Sequence, residues 1–216
     1  MYLSRMKINR ARRGSRRLLG SPHAMHGAVM ASFPHDKLLL GRVLWRIDND
    51  PHATWLYVVS TQLPDFAHLV EQAGWPTSSE GWVSRPYEPL LDQLSNGQRW
   101  VFRLTANPTR SDSSRNDRRF GHVTASQQEG WLLRRADGWG FSINEANGQA
   151  DLIVRDRRVE RFSRGDESVT LTKATFDGVL EVTSVESLRH VLISGAGHGK
   201  AYGCGLLTLA RPAKVM

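Results

Sequence analysis

The order of predicted strands and helices limits this chain more than any other feature, because the same order occurs in each half. Alternating or continuous apolar runs predict strands, and apolar residues at helical spacing predict helices. In the first half the predicted elements are a strand over 2–8, a helix from Ser21 and Pro22 to Pro34, strands over 42–48 and 54–60, a helix over 65–73 and a strand over 82–88. In the second half they are a strand over 99–106, a helix over 127–136, strands over 152–163 and 168–182, a helix over 185–193 and a strand over 205–210.

This order predicts an α+β fold made of two tandem ferredoxin-like (RRM-like) βαββαβ domains. We predict domain boundaries at 1–88 and 99–216, with 89–98 as the connection. The basic stretches 9–20 and 109–119 are predicted loops, the second one mobile, because few or no apolar residues interrupt them. No RNP1-like aromatic motif is found, so base stacking on a sheet surface is not predicted.

Local signals place the ends of two helices. Ser21 is a suitable N-cap and Pro22 a suitable first residue for a helix whose Met25, Val29 and Phe33 should face the core. Ser126 and Glu129 match a capping box, which predicts a helix from residue 127.

Positive charge is the strongest bulk property of the 216-residue chain. The net charge is +8, and seven arginine or lysine residues precede the first acidic residue, Asp36. Such a field attracts polyanions, so nucleic acid is the predicted partner. The single cysteine, Cys204, excludes an intramolecular disulfide and predicts a cytoplasmic location. No apolar run approaches the roughly 20 residues of a membrane span, so no membrane partner is predicted.

Two histidines, His23 and His26, are spaced i,i+3 at the start of the first helix. They could be solvent-exposed side chains, or a metal pair completed by His35, His198 or Cys204, although no ligand spacing supports that set. They could also act as general acid or base on RNA, since an imidazole titrates near neutral pH and the ribose 2′-OH supplies a nucleophile. We predict no metal and no cofactor.

Two groups of arginines are candidate RNA-binding residues. The first lies in the basic N-terminal stretch, and the second flanks a predicted hairpin turn at 164–167, where Arg155 and Arg157 should share one strand face. A solvated strand face is the alternative for the second group. The members are Arg12, Arg13, Arg16 and Arg17 in the first group, and Arg155, Arg157, Arg158, Arg161 and Arg164 in the second.

The stretch SGAGHGKAYGCG, residues 194–205, contains five glycines between a predicted helix and a predicted strand. A phosphate-binding P-loop needs Ser or Thr after the lysine, but Ala201 follows Lys200, and a dinucleotide fingerprint needs a strand before the glycines. A structural loop remains possible. We favour a close-packed backbone segment beside the first helix, in which Gly197, Gly199 and Lys200 contact RNA phosphate.

Taken together, these motifs resemble the CasE (Cse3) family, the CRISPR repeat-processing endoribonucleases of the RAMP superfamily. The resemblance rests on MYLSRMKI, on the pattern H-x-x-H-G-x-x-x-x-F-P from His23 to Pro34, and on the C-terminal GKAYGCGLLTLA. FRLTANPTRS (102–111) and TFDGVLEV (175–182) extend it along most of the chain.

The resemblance implies metal-independent cleavage of precursor CRISPR RNA at the 3′ base of the repeat hairpin, leaving 5′-hydroxyl and 2′,3′-cyclic phosphate ends. It implies that the enzyme stays on the mature crRNA with the other Cascade subunits. It assigns the catalytic histidine to His26, and it places His23 where some members have a tyrosine. A non-catalytic RNA-binding subunit and a protein that binds a small anion at the glycines are the alternatives.

Overall fold

The computed structural model describes residues 1–33, 41–112, 118–146, 149–164 and 167–212. The side chains of residues 111, 112, 118, 119, 146, 164 and 167 are also outside the description. The chain forms two compact units. The first unit contains residues 1–92 together with 200–203, and the second contains the rest.

The first unit is a four-stranded antiparallel sheet in the order β2-β3-β1-β4. Its strands are β1 (Tyr2–Ile8), β2 (Leu44–Asp50), β3 (Ala53–Ser60) and β4 (Trp82–Pro86). Its helices are α1 (Arg13–Gly20), α2 (Pro22–Met30), α3 (Ala67–Ala73) and α4 (Glu88–Asp92).

The core of this unit lies between the sheet and its helices. Met6 of β1 and Leu56 of β3 are fully buried there. The predicted stripe of Met25, Val29 and Phe33 is buried as well, with exposures of 1%, 0% and 5%. Phe33 reaches the core from beyond the end of α2, which ends at Met30.

The second unit repeats the same strand arrangement. Its main sheet has the order β11-β12-β5-β13, with β8 beside β12, and all pairings are antiparallel. Its strands are β5 (Arg99–Ala106), β6 (Thr109–Asp112), β7 (Arg118–Gly121), β8 (Phe141–Ile143), β9 (Glu145–Ala146), β10 (Gln149–Ala150), β11 (Leu152–Arg164), β12 (Glu167–Val182) and β13 (Leu207–Ala210). Its helices are α5 (Ala125–Ala136) and α6 (Val185–Ser194), and short 3-10 turns occupy Asp137–Trp139 in this unit and Lys200–Tyr202 in the first.

Within each sheet the edge-to-edge order is the second, third, first and fourth strand of a βαββαβ sequence. This is the ferredoxin-like arrangement, so the predicted fold class is confirmed. The predicted hairpin is also present, because Arg164 at the end of β11 pairs with Glu167 at the start of β12.

Three local predictions were wrong. Residues 13–20 form α1 instead of a loop, and residues 109–112 and 118–121 form the antiparallel pair β6–β7, whereas 113–117 lie outside the described residues. The capping box of α5 is built by Thr124 and Gln127, two residues before the predicted pair. The stretch TASQQE offers the Ser/Thr-x-x-Glu/Gln pattern at both positions, and the backbone uses the earlier one.

Candidate active site and nucleic-acid interface

Helix α2 positions the two histidines. The Ser21 hydroxyl accepts a hydrogen bond from the Ala24 amide at 3.2 Å, and Pro22 occupies the first turn, where its missing N–H has no cost. The predicted start of this helix is confirmed. Because Met25 and Val29 are turned into the core, His23 is exposed on the helix surface and His26 is half-buried beside it.

His26 has the properties of a proton acceptor. Its Nδ1 is buried and has no hydrogen-bond partner among the described residues. Burial lowers the pKa of His26 below its ordinary value, and the nearby charge of His23 lowers the pKa further. The neutral imidazole therefore predominates at neutral pH, with a ring nitrogen able to accept a proton.

The 3-10 turn Lys200–Tyr202 contacts both α2 and β2 within the first unit. Burial, and then the positive charge of Arg42, lower the pKa of Lys200. The turn that carries Lys200 thus touches the histidine helix, and Arg42 adds a second positive charge near Lys200. Arg42 was missed by sequence reasoning, and its position just before β2 carries no recognisable signal.

Positive backbone φ angles allow the glycine-rich stretch to pack closely. Gly203 has φ +77°, and a Cβ there would lie 2.7 Å from Cζ3 of the buried Trp45. In the second unit, Gly197 (φ +68°) lies against the Trp131 ring and Gly199 (φ +83°) lies beside Asn107. Close packing of the stretch is therefore observed, whereas its contact with RNA stays a prediction.

Helix α1 is held against the C-terminal end of α3. The Ser15 hydroxyl donates to the carbonyl of Ala73 at 3.1 Å, and the guanidinium of Arg12 donates to the carbonyl of Glu71. Arg17 donates to the Gln72 side chain at 3.3 Å. Two of the four predicted RNA-binding arginines of this region therefore make contacts within the protein.

Arg13 and Arg16 are the other two members of that group. Both are exposed on α1. They remain the candidates for RNA contact in this stretch.

Arg155 belongs to a charged cluster on the second sheet. Its guanidinium donates to Asp177 at 2.5 Å and to Asp156 at 2.7 Å, and Arg103 donates to the same Asp177 at 2.7 Å. Burial alone would raise the pKa of Asp177, but the hydrogen bonds from the two arginines lower it overall.

The expectation that Arg155 and Arg157 share a strand face is wrong. Arg157 donates to Gln128 of α5 at 3.1 Å and to the carbonyl of Val123, just before that helix, at 2.7 Å. The cause is a bulge in β11, where the register shifts between Arg155 and Arg158 and Asp156 adopts φ +49°. One extra residue reverses the alternation of side chains from that point.

The remaining arginines of β11 differ in their surroundings. Arg158 lies 2.7 Å from Glu160, in an ion pair on the strand surface. Arg161 is exposed, and the side chain of Arg164 lies outside the described residues.

A second basic cluster was not predicted. Burial and the charges of Arg134, Arg110 and Arg135 lower the pKa of His122. Arg135 also lies 4.7 Å from the centre of the Trp131 ring. The pair of arginines in the last turn of α5 was the only sequence signal for this cluster.

The described part of the chain contains neither a metal-binding cluster nor a membrane-spanning helix. No group of three His, Cys, Asp or Glu side chains there could hold a metal ion, while His35 lies outside it. Cys204 is fully buried, and burial raises the pKa of its thiol to about 11. None of the helices described is long and apolar enough to cross a membrane.

Comparisons with known proteins connect this arrangement to a family. The family model described as CRISPR associated protein matches residues 1–211. The CRISPR-associated endoribonuclease Cse3 of Thermus thermophilus is 31% identical over 223 residues, covering 97% of this chain and 100% of that protein. The Cascade subunit CasE of Escherichia coli is 26% identical and covers 84% of this chain and 96% of its own length.

A solved structure supports the same relation. Thermus thermophilus Cse3 bound to an RNA that represents a pre-cleavage complex superimposes with a TM-score of 0.80 at 27% identity. That match covers 97% of this chain and 98% of the solved one. With the family model, the full-length relatives and the doubled ferredoxin-like fold in agreement, the chain belongs to the CRISPR-associated Cse3/CasE family.

Proposed function

We propose that this chain is an endoribonuclease that cleaves precursor CRISPR RNA at the 3′ base of the repeat hairpin. The observation that carries the proposal is His26, a half-buried histidine with a lowered pKa and an unpaired Nδ1 among the described residues. Its position in a member of the Cse3/CasE family, along nearly the whole chain, supports RNA as the substrate.

In the proposed reaction, neutral His26 removes the proton of the ribose 2′-OH at the cleavage site. The 2′-oxygen then forms a bond to the phosphorus, and the bond from phosphorus to the 5′-oxygen breaks. The 5′-oxygen takes up the proton that His26 removed, directly or through water, which gives 5′-hydroxyl and 2′,3′-cyclic phosphate ends and restores neutral His26. A lowered pKa favours the base role for His26, since the deprotonated form is present before RNA binds.

Lys200 and Arg42 supply positive charge to the developing phosphorane in this proposal. Both belong to the first unit, and the turn that carries Lys200 contacts the helix that carries His26. Fixed cations near a reacting phosphate stabilise the transition state without reorganisation. The role proposed for His23 is to keep His26 deprotonated through charge repulsion.

We extend the proposal to domains and partners. The two units correspond to two ferredoxin-like domains, with the hairpin held by exposed arginines such as Arg161 and Arg16. The enzyme stays on its product and joins a Cascade complex in the cytoplasm. The name of the Escherichia coli relative, a Cascade subunit, supports this part.

The test is single-turnover cleavage of a repeat hairpin by the His26→Ala variant. Loss of a general base should slow cleavage by about 10²-fold to 10⁴-fold, while the dissociation constant for the hairpin stays within about threefold. The exposed His52, in the turn between β2 and β3, provides a matched control as His52→Ala.

Cleavage by the wild type should survive EDTA. Undiminished cleavage by His26→Ala would contradict the assignment. Hairpin binding without any cleavage by the wild type would instead identify a non-catalytic RNA-binding subunit.

A further inference from the structure

The outer face of the first sheet carries a groove that none of the proposed chemistry uses. It encloses about 450 Å³, and we call it the tryptophan groove. Its lining includes Arg5, Lys7, Trp55, Trp75, Glu80 and Trp82.

Strand alternation and register build this groove. Along β1, Met6 and Ile8 enter the core, so Arg5 and Lys7 point to the opposite face. Lys7 pairs with Trp55 of β3, which places the cation and the ring side by side on that face.

The next pair along the same strands extends the surface. Arg5 pairs with Tyr57, and an adjoining cavity of about 380 Å³ is lined by both and by Arg85. Trp55 and Tyr57 are two residues apart on the same face of β3, so their Cα atoms are about 7 Å apart along the strand. That spacing is roughly twice the 3.4 Å rise of stacked bases, which leaves room for bases against each ring.

The rings are accessible as stacking surfaces. Trp75 is 46% exposed, which is unusual for so large an apolar side chain. The Arg5 guanidinium lies over the Trp55 ring, 5.0 Å from its centre, so a cation and an aromatic surface adjoin in the groove. Single-stranded nucleic acids use such surfaces, because every base has a π-face and every linkage a negative charge.

The charge of the groove selects among ligands. Arg5, Lys7 and Arg85 supply three cations against the one carboxylate of Glu80. A neutral or basic peptide would make no favourable charge interaction with this excess of cations, whereas a phosphodiester strand would form ion pairs and also stack its bases on the rings.

We propose that the tryptophan groove binds a single-stranded RNA segment by stacking bases on Trp55 and Trp75, with phosphates paired to Arg5 and Lys7. The segment is a single-stranded part of the precursor next to the hairpin, and in this respect the inference rests on the proposed function. The absence of an RNP1 motif gave no indication of base stacking on a sheet, because Trp55 and Tyr57 meet Lys7 and Arg5 through strand register and not through a local motif.

The experiment measures binding of a fluorescent nine-nucleotide single-stranded RNA by anisotropy. Trp75→Ala should weaken binding by about 5-fold to 150-fold, which is the value of one base–aromatic stack. Lys7→Gln should lower the slope of log affinity against log salt by about 0.7, as expected for one phosphate contact to a single strand.

Matched controls come from the same unit. Leu63→Ala removes another exposed apolar side chain, and Arg10→Gln removes one exposed charge, both from residues that do not line the groove. Circular dichroism and melting temperature of each variant confirm folding. The controls should bind the nine-mer like the wild type.

The two proposals can fail separately. If the wild type cleaves a hairpin without flanks but does not bind the nine-mer, the groove inference is overturned and the nuclease proposal is supported. If the nine-mer binds equally to Trp75→Ala, Lys7→Gln and wild type, the strand lies elsewhere and the groove inference is again overturned. If the two variants instead lose affinity for a protein partner with RNA binding intact, the groove is a protein-docking site and the RNA assignment is refuted.

Discussion

Replacement of Gly203 by alanine tests whether the glycine-rich stretch is a packing device. The new Cβ would lie 2.7, 2.9 and 3.1 Å from three atoms of the Trp45 ring, all well inside the 3.5–4.0 Å of ordinary carbon contacts. The ring is 2% exposed, so it has little freedom to move away. Overpacking of this kind costs about 1–3 kcal/mol.

The backbone adds a second cost. Gly203 has φ +77°, and a residue with a Cβ pays about 1–2 kcal/mol in that region. Together these costs predict that Gly203→Ala lowers the free energy of unfolding by about 2–5 kcal/mol.

Replacement of two other glycines by alanine separates the cost of packing from the cost of backbone strain. Gly199 has nearly the same φ, +83°, but its Cβ would meet neighbours at 3.5 Å, an ordinary contact distance. Gly199→Ala should therefore lose only the backbone part, about 1–2 kcal/mol. Gly27 lies within α2 with nothing within 4 Å of a new Cβ, so Gly27→Ala should gain about 0.5–1 kcal/mol.

Urea unfolding, followed by tryptophan fluorescence, gives the free energy of unfolding of each of the three glycine variants relative to the wild type. The rate of single-turnover cleavage at saturating RNA is measured well below the melting temperature. For Gly203→Ala, the change in this rate, expressed as a free energy, should be smaller than the change in the free energy of unfolding. If Gly203→Ala is as stable as Gly199→Ala, the Trp45 contact has no energetic weight and the packing argument fails.

Three further predictions concern charge. His23→Ala should raise the pKa of His26, since it removes the repulsion that lowers it, so the limb of the pH–rate profile that belongs to His26 should move to higher pH. Asp177→Asn should cost about 1–3 kcal/mol of folding stability at neutral pH by removing an acceptor for two guanidinium groups. Because the pKa of Asp177 is lowered on folding, that difference should persist above pH 3.8, its ordinary pKa, and disappear as the pH falls through the folded value. Arg161→Ala should reduce the salt dependence of hairpin binding by about one ion, whereas Arg157→Ala should lower stability through its lost contacts to α5.

Each of the three charge predictions has its own measurement and its own contradicting result. NMR titration of the imidazole protons measures the His26 pKa directly, and an unchanged value in the His23→Ala variant would contradict the repulsion argument. For Asp177→Asn, urea unfolding at several pH values gives the difference in unfolding free energy from the wild type. A difference that stays constant down to about pH 2 would contradict the prediction. For the arginine pair, equal salt slopes of the two variants would show that the internal hydrogen bonds of Arg157 do not keep its charge from contacting RNA.

The strands of the two main sheets and helix α2 were predictable because strong local patterns specify them. Ser21 and Pro22 fix the start of α2, and the alternation in β1 and β3 fixes which residues face the core. Helix α1 could not be predicted in this way, since its sequence RGSRRLLG has few apolar residues. It depends on tertiary contacts, namely Ser15 and Gly14 against the end of α3 and the buried Leu18.

The candidate site was predictable only in part. Family resemblance indicated His26, but its lowered pKa depends mainly on burial, which only the folded structure shows. The tryptophan groove was missed because Trp55 and Lys7 are 48 residues apart and meet only through strand register. Motif searches along one strand do not detect surfaces that two strands build together.

The arginines of β11 show how one residue can redistribute a binding surface. A strand with unbroken alternation would send Arg155 and Arg157 to one face and form a continuous basic ribbon. The bulge at Asp156 instead commits Arg155 to the Asp177 cluster and Arg157 to α5, and it leaves Arg161 exposed. A guanidinium that already donates to a carboxylate or carbonyl has fewer N–H groups left for phosphate and is held in one orientation, so charge count overstates RNA affinity here. The basic side chains of the chain therefore serve two purposes, stabilising contacts within the protein and polyanion binding. Arginines such as Arg157, which are held by internal hydrogen bonds, should contribute less than Arg161 to the salt dependence of RNA binding.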